Sequence, residues 1–371
     1  MAKDWDDKPF MQRALRLAAK GRGTTHPNPM VGAVLVKDGR VIGEGWHREP
    51  GAPHAEIHAI RNASTSTVGA CLYVNLEPCS HQGRTPPCTE AIIRAGVERV
   101  VASCRDPNPS VDGRGFQALR DAGISVSVGL GEDRARELNR AFLHYALKGT
   151  PYVVLKLAST IDGRIATSSG QSRWITGAPA RKAAHRLRAD ADGVLVGAGT
   201  VAADDPSLTV RHLPARVQPR RIVLDKDLRT AIGARLVEQA EDGRTLFVIG
   251  PGVDRSRLMP FEAKGVKFLR LPAGAGGFVW GDLAKALADE GMIHLLVEGG
   301  GQTAAFFVRS GAVSRVELFL ASRFIGEEGI AAVGALGVEE LSRAPELRFV
   351  RTRRIGDDIR LTADVLPETV R

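Results

Sequence analysis

The feature that most restricts the fold of this chain is an alternation of short apolar runs with helix-patterned segments, run through twice. Residues 7–22 space Phe10, Ala14, Leu17 and Ala18 along one helical face. VGAVLVKDGRVIGEGWH then sets Asp38-Gly39 between two apolar runs, which predicts a hairpin. HAEIHAIRNA (54–63) reads as a helix and ACLYVNLEP (70–78) as a strand. PCTEAIIRAG (87–96) reads as a helix with Pro87 near its start and Gly96 just past its end. VERVVASC, GRGFQALRDAG, ISVSVG and EDRARELNRAFLHYAL continue as strand, helix, strand and helix. Such an alternation predicts an α/β layer, largely parallel after the opening hairpin.

At LKGTP (147–151) Gly and Pro interrupt the pattern, and a second α/β run begins at once. A chain of 371 residues is long for one compact core, so two domains are expected, 1–147 and 151–371. In the second run YVVLKLAS, GVLVGAG, RRIVLD, TLFVIG, KFLRL, HLLVEGG and VELFLA are strand candidates. Helices are expected at 178–190, 281–290 and 302–310, and a final hairpin over 347–366 with Gly356-Asp357 near its turn. The two halves share an α/β style without evident self-similarity.

Charge and cysteine usage narrow the function classes. The formal charge is +9, which suits a solvated basic surface or the attraction of phosphorylated ligands. The basic residues are scattered and aromatics make up only 5%, which leaves little for a base-stacking platform, so no nucleic-acid partner is expected. The start, MAKDWDDKPF, is charged and lacks an apolar core, and no stretch approaches a membrane span, so a cytoplasmic location without a membrane partner is expected. In a reducing compartment Cys71, Cys79, Cys88 and Cys104 are better read as metal ligands or core residues than as disulfides. Cys71 and Cys104 sit in apolar strands and read as core.

Cys79 and Cys88 differ. Each follows a proline, one at a strand end and one at a helix start, and His54-Ala55-Glu56 opens the helix before them. One imidazole and two thiolates can hold zinc with a fourth position left for water, whose pKa zinc lowers to about 7. Glu56, two residues from the ligand histidine, can face that position without ligating and move the water's proton to a substrate. The arrangement matches the His-x-Glu and Pro-Cys pattern of zinc nucleobase deaminases, except that SHQGRTPP separates the two cysteines where two residues are usual. That loop also offers His81 as a rival ligand.

HPNPMVGAVLV, GEGWH, HAEIHAI, LEPCSHQGRTPPCTEAI and DPNPSVDGRG together resemble the deaminase domain of the bifunctional riboflavin-biosynthesis enzymes, the RibD/RibG family, in which the long cysteine spacing is usual. VVLKLASTIDGRIATSSGQSRWIT, GVLVGAGTVAADDPSLTVR and LLVEGGGQTAAFF resemble the family's reductase domain. The resemblance implies a cytidine-deaminase-like three-layer domain followed by a dihydrofolate-reductase-like domain. It implies zinc-dependent deamination of 2,5-diamino-6-ribosylamino-4(3H)-pyrimidinone 5′-phosphate. NADPH-dependent reduction of the ribosyl group would then give 5-amino-6-(5-phospho-D-ribitylamino)uracil. By position, His54, Cys79 and Cys88 would bind zinc, Glu56 would shuttle the proton, and Asn28, His47 and Arg84 would line the pyrimidine pocket. Ala33 and Asn75 depart from the common Cys and Thr of the family, and neither is a proposed ligand.

In the second half HLLVE runs into Gly299-Gly300-Gly301 and an apolar helix, a turn whose N–H groups and helix dipole suit a cofactor phosphate. The family pattern implies NADPH contacts at Ala158, Trp174, Thr200, Asp204, Gly300, Gly301, Gln302, Thr303, Ala304, Ala305 and Phe306. It implies substrate contacts at Ser172, Arg188, Leu208 and Arg211, with Thr200, Asp204, Leu208 and Arg211 read along one irregular segment. Arg188 and Arg211 are reasonable partners for the ribose phosphate, since a guanidinium forks onto phosphate oxygens. Lys156 and Glu298 lie in otherwise apolar strands, where a charge needs a partner or a purpose; a catalytic role at the substrate is expected, and for Glu298 a substrate contact as well. The chain is expected to act as a homo-oligomer on a small molecule. Two rival readings are a nucleic-acid base deaminase with an accessory α/β domain, and a non-enzymatic, zinc-stabilised ligand-binding module.

Overall fold

The computed structural model describes residues 5–82, 86–109, 111–274 and 276–366. The chain divides into two compact units, Met1–Thr150 and Pro151–Arg371.

In the first unit the sheet runs β2-β1-β3-β4-β5, with β1 (Gly32–Lys37), β2 (Arg40–Trp46), β3 (Cys71–Val74), β4 (Arg99–Ala102) and β5 (Ser125–Val128). β1 pairs antiparallel with β2 and β3, and β3, β4 and β5 are parallel, as the pattern predicts. Successive strand residues point to opposite faces, and both faces are covered. Leu35, Leu72, Val74 and Val100 pack with Ala55 and Ala59 of α2 (Ala55–Arg61), Ile92 of α3 (Cys88–Arg94), and Phe116 and Leu119 of α4 (Arg114–Asp121). Val34, Val36, Tyr73 and Val101 face the other way, against Met11, Ala14, Leu15 and Leu17 of α1 (Lys8–Ala18). This is a three-layer α/β/α unit. Helix α2 lies so close on β2 that a Cβ at Gly45 would stand 2.3 Å from the His58 Cβ and 2.6 Å from the Ala55 carbonyl.

One expectation fails here. EDRARELNRAFLHYAL is not a single helix but α5 (Glu132–Leu138) and α6 (Arg140–Lys148), broken at Asn139 with φ −101° and ψ 17°. Asn139 is buried, and its amide is hydrogen-bonded to the main chain of Met30 rather than facing water. A tertiary partner for a short polar side chain overrides helical periodicity.

The second unit is built on a sheet ordered β11-β10-β9-β8-β14-β6-β15-β18-β17. Its strands are β6 (Tyr152–Thr160), β8 (Gly193–Gly197), β9 (Arg220–Leu224), β10 (Thr245–Ile249), β11 (Lys267–Arg270), β14 (His294–Glu298), β15 (Val313–Ala321), β17 (Leu347–Ile355) and β18 (Asp358–Val365). The pairings from β11 through β15 are parallel, and the closing hairpin β17–β18 adds antiparallel to β15. Small ladders join β7 (Arg164–Ala166) to β16 (Ile330–Ala331) and β12 (Ala273–Gly274) to β13 (Gly277–Phe278). Helices α7 (Ala178–Asp190), α11 (Trp280–Asp289) and α12 (Gly301–Arg309) fall where the periodicity puts them. The segment after β8 is not irregular throughout: Ala198–Asp204 forms α8, ended by Asp205 at φ +41°. The short α9 (Arg235–Glu238) and α10 (Arg255–Glu262) carry too little apolar periodicity to read from sequence.

Candidate active sites

In the first unit the N-termini of α2 and α3 meet the end of β3. His54 caps α2 in an extended conformation, and Cys88 is the first residue of α3 after Pro87. His54 Nδ1 lies 3.2 Å from Cys88 Sγ and 3.5 Å from Cys79 Sγ, and the backbone N–H of Cys88 donates to Cys79 Sγ at 3.3 Å. The three ligand atoms lie within 4.8 Å of one another. The Cys88 thiol holds Cys79 well below the ordinary thiol range, at about 4, while the contact with Cys79 and burial push Cys88 up. The hydrogen bond to Cys79 raises the His54 imidazole above its ordinary value. His81 is exposed and stands outside this group.

Glu56 is buried beside the three, and burial raises its carboxyl above the usual carboxylate range. Its Oε2 finds no hydrogen-bond partner among the described residues. One nitrogen and two sulfurs are the donor set for a zinc ion with a water in its fourth position, and an orphaned carboxylate oxygen beside them suits a proton acceptor for that water. The site therefore fits that metal.

His47 stands beside His54 and holds Asn28. The His47 ring meets His54 edge-on with centroids 5.4 Å apart. Its Nδ1 donates to Pro53 O at 3.3 Å, so Nε2 accepts from Asn28 Nδ2 at 3.1 Å. Burial lowers the His47 imidazole, which agrees with this neutral tautomer. The bond to His47 engages the Asn28 amide through its NH₂ group and not through its carbonyl oxygen. Arg84 lies outside the described residues.

Sequence reading assigned no role to Glu77, yet it organises the wall behind Cys79. Its buried carboxylate accepts the N–H groups of Asp106 (3.2 Å), Gly113 (3.1 Å), Gly115 (2.9 Å) and Phe116 (3.3 Å), tying the DPNPSVDGRG loop and the start of α4 to the strand end. The signal was there in the Glu-Pro-Cys run, but nothing local says that four amides converge on it.

In the second unit a cavity of about 1210 Å³ lies along the carboxyl ends of the parallel strands. Lys156, Ala158, Ser172, Trp174, Arg188, Thr200, Asp204, Leu208, Arg211 and Glu298 all line it, as do Gly300, Gly301, Gln302, Thr303, Ala305 and Phe306 of the α12 turn. Ala304 does not; it is fully buried in the core beneath the helix. Gly300 N–H donates to Thr200 Oγ1 at 3.1 Å, and a Cβ on Gly301 would stand 2.5 Å from Ala331 O. The turn thus needs glycine for close approach, since its Gly300 has an ordinary φ of −67°. Ser172 Oγ donates to Asp204 Oδ1 at 3.0 Å, and Arg173 donates to the Asp204 carbonyl. Buried Leu208 adopts φ +52°, a strained conformation for a branched side chain that often marks a functional segment.

Lys156 and Glu298 stand in register on adjacent parallel strands, with Nζ 4.0 Å from Oε2. Glu298 is gripped by Arg188, Nε to Oε1 at 2.6 Å and one terminal nitrogen to Oε2 at 3.0 Å, while the other donates to Thr209 O at 2.9 Å. Burial alone would raise the Glu298 carboxyl, but Arg188 and Lys156 hold it at about 2. Burial lowers the Lys156 ammonium below its ordinary value. Arg188 therefore enters the cavity with most of its fork already spent, and Arg211, exposed at the rim, is the freer guanidinium. His185, absent from the sequence reading, accepts the Arg211 N–H at 3.2 Å and stacks edge-on with His212 at 4.6 Å.

Comparison with known proteins places both units. Residues 4–104 match the family model of the cytidine and deoxycytidylate deaminase zinc-binding region, and residues 151–361 match that of the RibD C-terminal domain. The riboflavin biosynthesis protein RibD of Aquifex aeolicus is 44% identical over 95% of this chain and 97% of its own length. That of Escherichia coli is 42% identical over 95% and 98%. Among solved structures, RibD of Acinetobacter baumannii superposes with a TM-score of 0.86 at 37% identity, covering 97% of this chain and 99% of that one. A diaminohydroxyphosphoribosylaminopyrimidine deaminase/5-amino-6-(5-phosphoribosylamino)uracil reductase from Thermotoga maritima gives 0.84 at 34% identity, covering 97% and 98%. With a deaminase site and a reductase cavity both in place on one chain, this protein belongs to the RibD family of bifunctional riboflavin-biosynthesis enzymes.

Proposed function

We propose that the first unit carries out zinc-dependent hydrolytic deamination of 2,5-diamino-6-ribosylamino-4(3H)-pyrimidinone 5′-phosphate. The second unit then uses NADPH to reduce the ribosyl group of the resulting uracil, giving 5-amino-6-(5-phospho-D-ribitylamino)uracil. The Thermotoga maritima relative, a deaminase/reductase of this kind, supports this pair of reactions. The observation that carries the deaminase half is the buried, unpartnered Glu56 oxygen beside His54, Cys79 and Cys88.

When bound, zinc supplies a water acidic enough to ionise near neutral pH. Glu56, with its carboxyl raised by burial, would carry that proton to the ring nitrogen and then carry the proton of the newly added hydroxyl to the amine, which leaves as ammonia. Asn28 and His47 fix the ring edge, and the buried walls keep bulk water from competing. In the second unit NADPH supplies the hydride. The N–H groups of the first turn of α12 would hold a cofactor phosphate, while Thr200 takes the Gly300 N–H just before it. Lys156, kept beside Glu298, would give its proton to the ribosyl ring oxygen as the ring opens, leaving the ribosyl carbon bonded to nitrogen as the one to be reduced.

Zinc-loaded protein with the diaminopyrimidine substrate and NADPH should release ammonia and oxidise NADPH only when substrate is present. Absence of both overturns the proposal. Steeply salt-dependent binding to RNA or DNA would favour a nucleic-acid deaminase instead. No helix of the described residues is long and apolar enough to cross a membrane. A cytoplasmic homo-oligomer is the expected form, with light scattering after size exclusion as the check on assembly.

A further inference from the structure

In His26-Pro27-Asn28-Pro29-Met30 two of the five residues lack an N–H. The Asn28 N–H is spent on Thr25 O at 2.8 Å. A segment so poor in donors cannot be fixed by a ladder of its own, so whatever orients Asn28 must reach it from elsewhere.

Two buried asparagines do so. Asn139 pairs with both polar groups of one residue: Met30 N–H donates to its Oδ1 at 2.8 Å, and its Nδ2 donates to Met30 O at 3.0 Å. Asn75, just past β3, donates to the same Met30 O at 2.9 Å and accepts the Gly32 N–H at 2.8 Å. His47 N–H closes the set on Val31 O at 2.9 Å. Asn75 is 0% and Asn139 2% exposed, so water does not substitute for these bonds. A side-chain amide offers a donor and an acceptor in this spacing, which an ionised carboxylate does not. The α5–α6 helix is interrupted at the residue that makes the grip.

We infer that Asn139, together with Asn75, is a positioning residue of the deaminase pocket, acting through the main chain of Met30 to hold Asn28 against His47. This rests on the deaminase reading above. Asn139 touches neither the metal-ligand set nor the ring itself. It fixes the peptide two residues beyond Asn28, whose amide lies 3.1 Å from His47 Nε2. Releasing Met30 lets Asn28 drift from the ring edge, which weakens substrate placement before it affects the proton shuttle.

The test uses the full-length, zinc-loaded chain, with zinc content and NADPH oxidation on the deaminated substrate as controls from the same preparation. Asn139→Ala should raise the KM of deamination about tenfold and change kcat less than about threefold, with both controls at wild-type level. In Asn139→Asp the ionised carboxylate faces the Met30 carbonyl and repels it, whereas the protonated acid restores one donor and one acceptor. The ratio of its KM to the wild-type KM should therefore fall as pH is lowered from about 8 to about 5. An unchanged KM in Asn139→Ala, a fall in kcat or zinc content at constant KM, or a pH-independent ratio in Asn139→Asp overturns the inference. Wild-type enzyme that releases no ammonia overturns the deaminase reading, and this inference with it. An active wild type with a normal Asn139→Ala KM overturns the inference alone.

Discussion

Glu56 owes its chemistry to what surrounds it. An ordinary helix-opening glutamate would sit in water; here the carboxyl is buried, raised by that burial, and left with one oxygen unpaired beside the His54, Cys79 and Cys88 group. Glu56→Gln keeps the shape and removes the base. Deamination should fall by about 10² to 10⁴, with zinc content unchanged and NADPH oxidation unchanged when the deaminated intermediate is supplied; equal loss of both activities measured in this way would point to misfolding instead. At the other site burial first, then the Arg188 guanidinium, presses the His185 imidazole from 6.5 down to about 4. The unfolded chain therefore takes up a proton in that window that the folded unit refuses. Its contribution to stability is fully present above pH 6.5 and is lost as pH falls toward 4. His185→Gln should flatten this part of the pH–stability curve in urea unfolding, and a curve as steep as the wild type would rule the assignment out.

Elements matter here mainly through their ends. α2 and α3 present their first residues to the metal-ligand group, α12 presents its first turn to the reductase cavity, and α4 begins where four amides meet Glu77. A glutamine at position 77 has one carbonyl oxygen for that set and an NH₂ that cannot accept. Glu77→Gln should cost about 1.5–3 kcal/mol of stability and speed hydrogen exchange at one of the two amide pairs, Asp106 with Gly113 or Gly115 with Phe116, since each pair shares one carboxylate oxygen, while exchange in β1 stays as it was. Wild-type protection at all four amides would show that the carboxylate is not the anchor. The same reasoning explains why one helix was expected where α5 and α6 stand. The periodicity of 132–147 is sound on both sides of Asn139, but the amide's bonds to Met30 lie more than a hundred residues away in sequence.

Over the whole molecule the two chemistries occupy separate compact units, each with its own sheet and core. That division makes an independent prediction. Dialysis against a zinc chelator should abolish ammonia release and leave NADPH oxidation intact when the deaminated intermediate is supplied, because no metal-ligand group like that of the first unit occurs among the described residues of the second. Loss of both activities on chelation would show instead that the metal supports the entire chain.

By itself the sequence determined which chemistries were possible and where the strands and long helices run. Metal-ligand residue types, proline-flanked cysteines, glycine turns and apolar periodicity are local signals, and local signals survive in a linear string. His54, Glu56, Cys79 and Cys88 were legible for that reason, as were Lys156 and Glu298, charges in apolar strands. Only the tertiary structure decided which side chains were already committed. It spent most of the Arg188 fork on Glu298, buried Ala304 below the cavity it was expected to line, and turned Glu77 and Asn139 into anchors. Hydrogen-bond satisfaction in a buried site depends on groups brought together from distant parts of the chain, and no spacing in the sequence records where those groups will meet.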